Sequence, residues 1–132
     1  MEKLSANTNA LNWFEIPVTD TARAKKFYET ILDIQMQTSE MMGMEMTIFP
    51  YDMQGSNGKV SGSLVKGPMH KPSIDGSVVY LNANPSIQTV IAKIEKAGGK
   101  ILMPRTLINE QIGYMAFFAD TEGNRIALHA GN

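Results

Sequence analysis

The sequence predicts an α+β fold built from two tandem βαβββ modules within one domain, 1–132. Each half of the chain opens with alternating apolar residues that run directly into a segment with apolar residues at helical spacing. Three further strand-like segments follow in each half. A Gly/Pro-rich connection at 67–76 separates the halves, so we expect module one at about 11–66 and module two at 77–130.

The two halves also agree in register. A shift of 65 residues places Phe14 on Val79, and a shift of 64 residues places Leu64 on Leu128. Two nearly equal offsets at opposite ends of the unit indicate an internal repeat with little insertion or deletion. We therefore expect both modules to contain the same elements in the same order.

Module one begins with a strand at 12–18, where residues alternate with the period of two that gives a strand two distinct faces. The helix that follows is expected to be capped by Asp20 or Thr19. Its apolar residues share one helix face: Ala24, Phe27, Tyr28 and Ile31. Three extended segments complete the module: 33–38, 44–49 and 60–65. A turn between the last two is predicted at 50–59 from its glycines.

Module two begins with a strand at 77–83, and its helix is expected to start with Asn84 as the cap and Pro85 in the first turn. The apolar residues of this helix repeat the spacing of the first: Ile87, Val90, Ile91 and Ile94. Gly98 and Gly99 should end it. The remaining segments are a strand at 100–103, a polar loop at 104–113, and two strands, 114–118 and 125–129, around a turn.

Composition excludes several classes of function. The chain has no cysteine, which removes disulfides, thiol nucleophiles and thiolate metal sites. The formal net charge is −1 and the basic residues are scattered, so we expect no nucleic-acid partner. There is no apolar run long enough to cross a membrane and no apolar signal core at the start, so we expect a cytoplasmic protein without a membrane partner. A small molecule is the expected partner.

Three motifs resemble the vicinal oxygen chelate superfamily, which includes glyoxalase I, the bleomycin-resistance proteins and the extradiol dioxygenases. They are Phe14-Glu-Ile-Pro-Val-Thr-Asp20, Gly98-Gly-Lys100 and Phe118-Ala-Asp-Thr-Glu-Gly-Asn-Arg125. The resemblance is closest to the glyoxalase-like group and extends from about Leu11 to His129. It implies curved mixed sheets with helices on their convex side, a cavity between the modules, and assembly as a homodimer.

The same resemblance implies four metal-ligand positions, which here carry Trp13, Ser63, Val78 and Ala127. Indole, isopropyl and methyl side chains cannot coordinate a divalent ion, and a single serine hydroxyl is a poor ligand without carboxylate or imidazole neighbours. We therefore predict no metal at these positions and no cofactor.

Strand alternation predicts which side chains line the cavity. The candidate ligand-binding residues are Trp13, Ser63, Val78, Tyr80, Asn82 and Arg125. The aromatic rings among them could stack on a planar ligand. Glu15 and His129 could transfer protons and are the candidate catalytic residues.

Each candidate also has a purely structural interpretation. Trp13 could fill the hollow and make it part of the core. Glu15 could be an ion-paired structural carboxylate, with Arg125 or Arg105 as its partner. His129 could be exposed or merely hydrogen-bonded, and His70, in the connection between the modules, is expected to be solvated.

Three hypotheses about function follow. The first is a metal-free small-molecule-binding protein of the glyoxalase/bleomycin-resistance type that holds an aromatic or amphipathic ligand between the modules. The alternative is an enzyme, a glyoxalase-like lyase, isomerase or dioxygenase-type protein, that uses Glu15 or His129 as acid and base, or an atypically placed metal. The third is a dimeric interaction domain that has lost its cavity. The residues predicted to line the cavity favour the first hypothesis.

Overall fold

A computed structural model describes residues 2–52, 54 and 59–132. Module one contains β1 (Trp13–Pro17), α1 (Thr21–Leu32), β2 (Gln37–Met41), β3 (Met44–Ile48) and β4 (Ser61–Lys66). Module two contains β5 (Tyr80–Asn82), α2 (Ile87–Ile94), β6 (Lys100–Asn109), β7 (Gly113–Ala119) and β8 (Arg125–Ala130). The predicted α+β class and the two βαβββ modules are confirmed. The glycines that predicted the turn at 50–59, Gly55 and Gly58, lie outside the described residues.

Each module forms one mixed four-stranded sheet, with strand orders β1-β4-β3-β2 and β5-β8-β7-β6. The first strand of each module runs parallel to its neighbour, and the other pairs are antiparallel. Glu15 pairs with Ser63 in module one. Tyr80, 65 positions after Glu15, pairs with Ala127, 64 positions after Ser63. The offsets predicted for the internal repeat therefore hold at the level of strand register.

Helix α1 begins at a side-chain cap and ends at a left-handed residue. Asp20 has extended backbone angles, and its carboxylate accepts a hydrogen bond of 3.0 Å from the backbone N–H of Arg23. Asp33 follows the last turn with φ of 54°, and its N–H donates to the carbonyl of Glu29. The four apolar residues predicted to share a face are all buried.

The predicted start of the second helix is wrong by two residues. Ser86, not Asn84, is the cap, and its hydroxyl accepts from the N–H of Thr89 at 3.4 Å. The side chain of Asn84 is engaged elsewhere, because its Oδ1 accepts from the N–H of Gly131 at 2.9 Å. Pro85, joined to Asn84 by a cis peptide bond, precedes the cap and lies outside the helix. Both Asn84 and Ser86 have side chains that can cap a helix, and the contact between Asn84 and Gly131 leaves this role to Ser86.

The polar loop predicted at 104–113 is also wrong over most of its length, since β6 continues to Asn109. The strand pairs with β7 through three shifts of register, and one of them, between Met103 and Thr106, spans Pro104. Proline lacks the N–H that a ladder needs, but an edge strand tolerates it at a bulge. Antiparallel pairing with the next strand, across a short turn, therefore extends β6 beyond what its own residues indicate.

Both modules share one hydrophobic core beneath the helices. Phe27 and Tyr28 of α1 pack against Phe118 of β7, with ring centroids 5.9 and 6.5 Å apart. All three side chains are at most 1% exposed. The core therefore binds the helix of module one to the sheet of module two.

Among the described residues, neither α1 nor α2 has the length and apolarity that a membrane crossing requires.

A turn between β7 and β8 adds polar contacts across the same boundary. Glu122 accepts hydrogen bonds from the backbone N–H groups of Thr19 and Asp20 and forms a 2.7 Å ion pair with Arg23. Tyr28 donates its hydroxyl proton to Asp120 at 2.6 Å. Burial alone would raise the pKa of Glu122, but the hydrogen bonds from Arg23 and from the backbone outweigh it and lower this pKa to about 2.

Candidate ligand-binding site

The edge strands β1 and β5 line a common cavity of about 890 Å³. Its wall combines residues of both modules: Trp13, Glu15, Ser61, Val78, Tyr80 and Asn82. Apolar side chains that belong to the hydrophobic core or pack against it also line the cavity: Phe14, Leu32, Ile34 and Phe49. Two sheets that each end in an unpaired strand thus leave a hollow between those edges.

The structure brings together most of the ligand-binding residues predicted from the sequence. Trp13, Val78, Tyr80 and Asn82 all line this cavity. Ser63 does not line it, because it is fully buried two residues beyond Ser61 on β4, opposite Glu15. The cavity wall takes its serine from Ser61 and Ser77 instead. Strand alternation places Ser61 and Ser63 on the same face of β4 and does not show where the cavity ends, so it could not decide between them.

Two aromatic rings, one from each module, line the cavity. Trp13 is half-buried and makes an edge-on contact with Tyr51, with ring centroids 6.0 Å apart. Tyr80 is 50% exposed and makes an edge-on contact with Phe117 at 6.2 Å. Each ring is therefore oriented by a second ring and still has accessible surface, as a stacking platform requires. Trp13 borders the hollow and does not fill it.

Glu15 has a different partner from the arginines considered above. Its Oε1 lies 2.7 Å from Nε2 of His70, which donates the proton because a carboxylate can only accept. The side chain of His70 is 17% exposed, so the expectation of a solvated histidine is wrong. Arg125 bonds instead to the carbonyl of Gly76. Arg105 lies over the ring of Tyr114, 3.5 Å from its centroid.

His129 is held away from this arrangement. Its Nε2 donates to the backbone carbonyl of Ile112 at 2.7 Å, and it is not among the described residues that line the cavity. Its strand neighbour Asn82 does line the cavity. The two candidate catalytic residues, Glu15 and His129, are thus not brought together at one wall.

The four positions implied for metal ligands do not offer a fitting donor set. Trp13, Val78 and Ala127 have no donor atom for a divalent ion, and only Ser63 supplies an oxygen. Within the part of the chain that the structure describes, no group of three or more His, Asp or Glu side chains is placed to hold a metal ion. The chemistry of the donor set at these positions therefore disagrees with metal binding.

Comparison with known proteins identifies a protein family that matches most of the chain. The profile of the Glyoxalase/Bleomycin resistance protein/Dioxygenase superfamily matches residues 10–128. A putative glyoxylase from Mycobacterium bovis is 27% identical over 124 residues, which cover 92% of this chain and 45% of that protein. The chain thus spans about half the length of this curated relative.

Solved structures share the fold at low identity. A variant of glyoxalase I from Zea mays superposes with a TM-score of 0.66 at 18% identity, covering 92% of this chain and 46% of that one. An antibiotic binding protein from a Streptomyces species superposes with a TM-score of 0.62 at 18% identity, covering 97% of this chain and 100% of that one. At these identities the likeness shows the fold alone.

Proposed function

We propose, from the premise that the chain belongs to the Glyoxalase/Bleomycin resistance protein/Dioxygenase superfamily, that it is a small-molecule-binding protein that works without a metal. Its ligand is aromatic or amphipathic and lies in the cavity between β1 and β5. The observation that carries the proposal is this cavity, whose wall combines apolar residues with two partly exposed rings, Trp13 and Tyr80.

The size and lining of the cavity support a ligand of drug-like dimensions. Ligand sites in proteins usually measure about 300 to 1,000 Å³ and combine apolar walls with a few polar groups. The cavity here, at about 890 Å³, lies in that range. Its polar side-chain groups are few, namely those of Glu15, Ser61, Ser77, Asn82 and Asn84, the Tyr80 hydroxyl and the indole N–H of Trp13.

Two further considerations support the proposal. The donor set at the implied ligand positions lacks carboxylate and imidazole groups. One structural relative, of which this chain covers the whole length, is described as an antibiotic binding protein. We extend that kind of function to this chain by analogy of fold.

A ligand screen tests the proposal. Trp13 is the only tryptophan, so its fluorescence should change when a compound from an aromatic and carbonyl library enters the cavity. In calorimetry, Tyr80→Ala should weaken the hits at least about 5-fold. Leu4→Ala, at an exposed position that does not line the cavity, is the matched control and should leave affinity unchanged. A library without a single hit, or equal losses in both variants, would contradict the proposal.

The second candidate function is an enzyme, a glyoxalase-like lyase, isomerase or dioxygenase-type protein. The observation that favours it is Glu15, a cavity-wall carboxylate held by His70 at 2.7 Å, as an acid–base group would be. His129 lies outside the cavity wall, so this alternative depends on Glu15. Turnover of a carbonyl compound by the wild type that Glu15→Gln abolishes would favour the enzyme over the binding protein.

We also propose that the protein is a homodimer. Strand β6 is an edge strand with exposed apolar side chains, Leu102, Leu107 and Ile108, which a second copy could cover. Light scattering coupled to size-exclusion chromatography tests the mass. The cytoplasmic location expected from the sequence stays a prediction, and cell fractionation would test it.

A further inference from the structure

A second, smaller cavity of about 240 Å³ adjoins the first. Three residues line both cavities: Glu15, Ser77 and Val79. The connection between β4 and β5 contributes Lys71, Ser73 and Gly76 to the smaller one. The two hollows therefore lie side by side along the gap between the sheets, with Glu15 at their border.

The walls of the two cavities differ in charge. Glu15 is the one charged side chain among the described residues that line the larger cavity. The smaller cavity adds two cations, Lys71 and Arg125. Two cations thus face one carboxylate, and that carboxylate already accepts a hydrogen bond from His70. The smaller cavity is the electropositive end of the combined space.

Arg125 has unused hydrogen-bonding capacity at this end. One terminal nitrogen, Nη2, donates to the carbonyl of Gly76 at 3.3 Å. Its Nε is buried, and no described residue accepts a hydrogen bond from it. A buried N–H of a charged group that has no acceptor destabilises the folded state, because the free energy lost on desolvating the group is not recovered. A guanidinium offers two parallel N–H groups that match a carboxylate.

Neighbouring groups do not supply the missing acceptor. Asn124, which also lines the smaller cavity, accepts from the N–H of Ser73 with its Oδ1 and donates to the carbonyl of Pro17 with its Nδ2. Lys71 is exposed, and within the described residues it has no ion-pair partner. An anion from solution would therefore meet both cations without displacing an existing ion pair.

We infer that the ligand is an aromatic compound carrying a carboxylate, with the acid bound by Arg125 and Lys71 in the smaller cavity. The aromatic part then lies in the larger cavity between Trp13 and Tyr80. This inference rests on the proposed binding function, because it names the chemical class of the ligand for the same site. Net positive charge at one end and aromatic rings at the other fix the orientation of such a ligand.

Matched compound pairs test the inference separately from the proposed function. Aryl carboxylic acids and their primary amides, which are neutral and similar in shape, are titrated by Trp13 fluorescence and by calorimetry. The wild type should bind the acids about 10- to 100-fold more tightly than the amides, since charged hydrogen bonds replace neutral ones. Arg125→Gln should reduce the acids to the affinity of the amides and leave the amides unchanged.

Control variants keep the test decisive. Arg105→Gln removes an arginine that lies over Tyr114 and lines neither cavity, so it should preserve the preference for acids. Lys71→Gln, on the exposed connection, should weaken the binding of the acids about 3-fold. This variant tests the inference independently if Arg125→Gln does not fold. If amides bind as well as acids in the wild type, the carboxylate inference is wrong while the binding function stands. If no aromatic compound binds, both are wrong.

Discussion

Glu15 Oε1 and His70 Nε2 lie 2.7 Å apart although 55 residues separate them along the chain. The contact ties the connection between the modules to β1 at the border of the two cavities. His70 also lies against the backbone of this connection, since a Cβ atom on Gly67 would come within 3.2 Å of its Nδ1. The histidine thus holds the connection in place beside the cavity.

We expect His70→Ala to loosen residues 67–76. Hydrogen exchange measured by mass spectrometry should become several-fold faster there, because the Glu15 contact is lost, while exchange in α1 stays unchanged. Lys25→Ala is the control, since it removes another single ion pair, that with Glu29, without touching the connection. Equal exchange at 67–76 in wild type and His70→Ala would show that the contact does not hold the segment.

Glu122 should make the free energy of unfolding depend on pH in the acid range. Its side chain is fully buried, and its pKa of about 2 in the folded protein lies below the 4.5 of a free glutamate. A lowered pKa stabilises the folded state above pH 4.5, and that contribution is lost as the pH falls from 4.5 towards 2. Glu122→Gln should lower the free energy of unfolding at pH 7 by roughly 2–3 kcal/mol.

The measurement is urea unfolding between pH 2 and pH 7. The difference between wild type and Glu122→Gln should shrink steadily below pH 4.5. Glu40→Gln, on the exposed strand β2, serves as the matched control and should differ from wild type by less than about 0.5 kcal/mol. A difference that is constant across this pH range would mean that the ionised carboxylate is not the source of the stability.

Ser61 and Ser63 form a matched pair two residues apart on β4. The hydroxyl of Ser61 donates to the carbonyls of Phe49 and Pro50. The hydroxyl of Ser63 is fully buried, and no described residue bonds to it. Ser61→Ala should cost about 1 kcal/mol of unfolding free energy, whereas Ser63→Ala should cost nothing or stabilise by up to about 1 kcal/mol. Thermal and urea unfolding of the two variants measure this, and a larger loss for Ser63→Ala would reverse the assignment.

Measurement of the metal content tests whether the protein binds a divalent ion despite the lack of suitable ligands at the four implied positions. Protein purified without chelators should contain well below one divalent ion per chain, and addition of EDTA should not shift its melting temperature. The physical reason is that Trp13, Val78 and Ala127 supply no donor atoms. A stoichiometric ion that EDTA removes with loss of stability would show an atypically placed metal and favour the enzyme hypothesis.

Local periodicity predicted the order of the elements and their duplication. The spacing of Phe27, Tyr28 and Ile31 predicted the buried face of α1, and the offsets of 65 and 64 residues agree with the equivalent pairs at Glu15 and Tyr80. These features depend on neighbours along the chain or on a repeated register. They can therefore be deduced from the residues alone.

The features that the sequence did not reveal depend on long-range contacts. Asn84 loses the role of cap because its side-chain oxygen accepts from the N–H of Gly131, 47 positions along the chain. The partner of Glu15 is a histidine in the connection, which no spacing rule selects. The smaller cavity exists only because the connection covers the gap between two sheets. Each of these depends on where distant segments meet.

The turn between β7 and β8 makes the two modules dependent on each other for folding. The two residues before α1, Thr19 and Asp20, donate their backbone N–H groups to Glu122, a residue of the other module. If module two unfolded alone, these donors would lose their acceptor and the shared core around Phe118 would become exposed to water. Unfolding should therefore be a single cooperative transition, and a separated half of the chain should not remain folded.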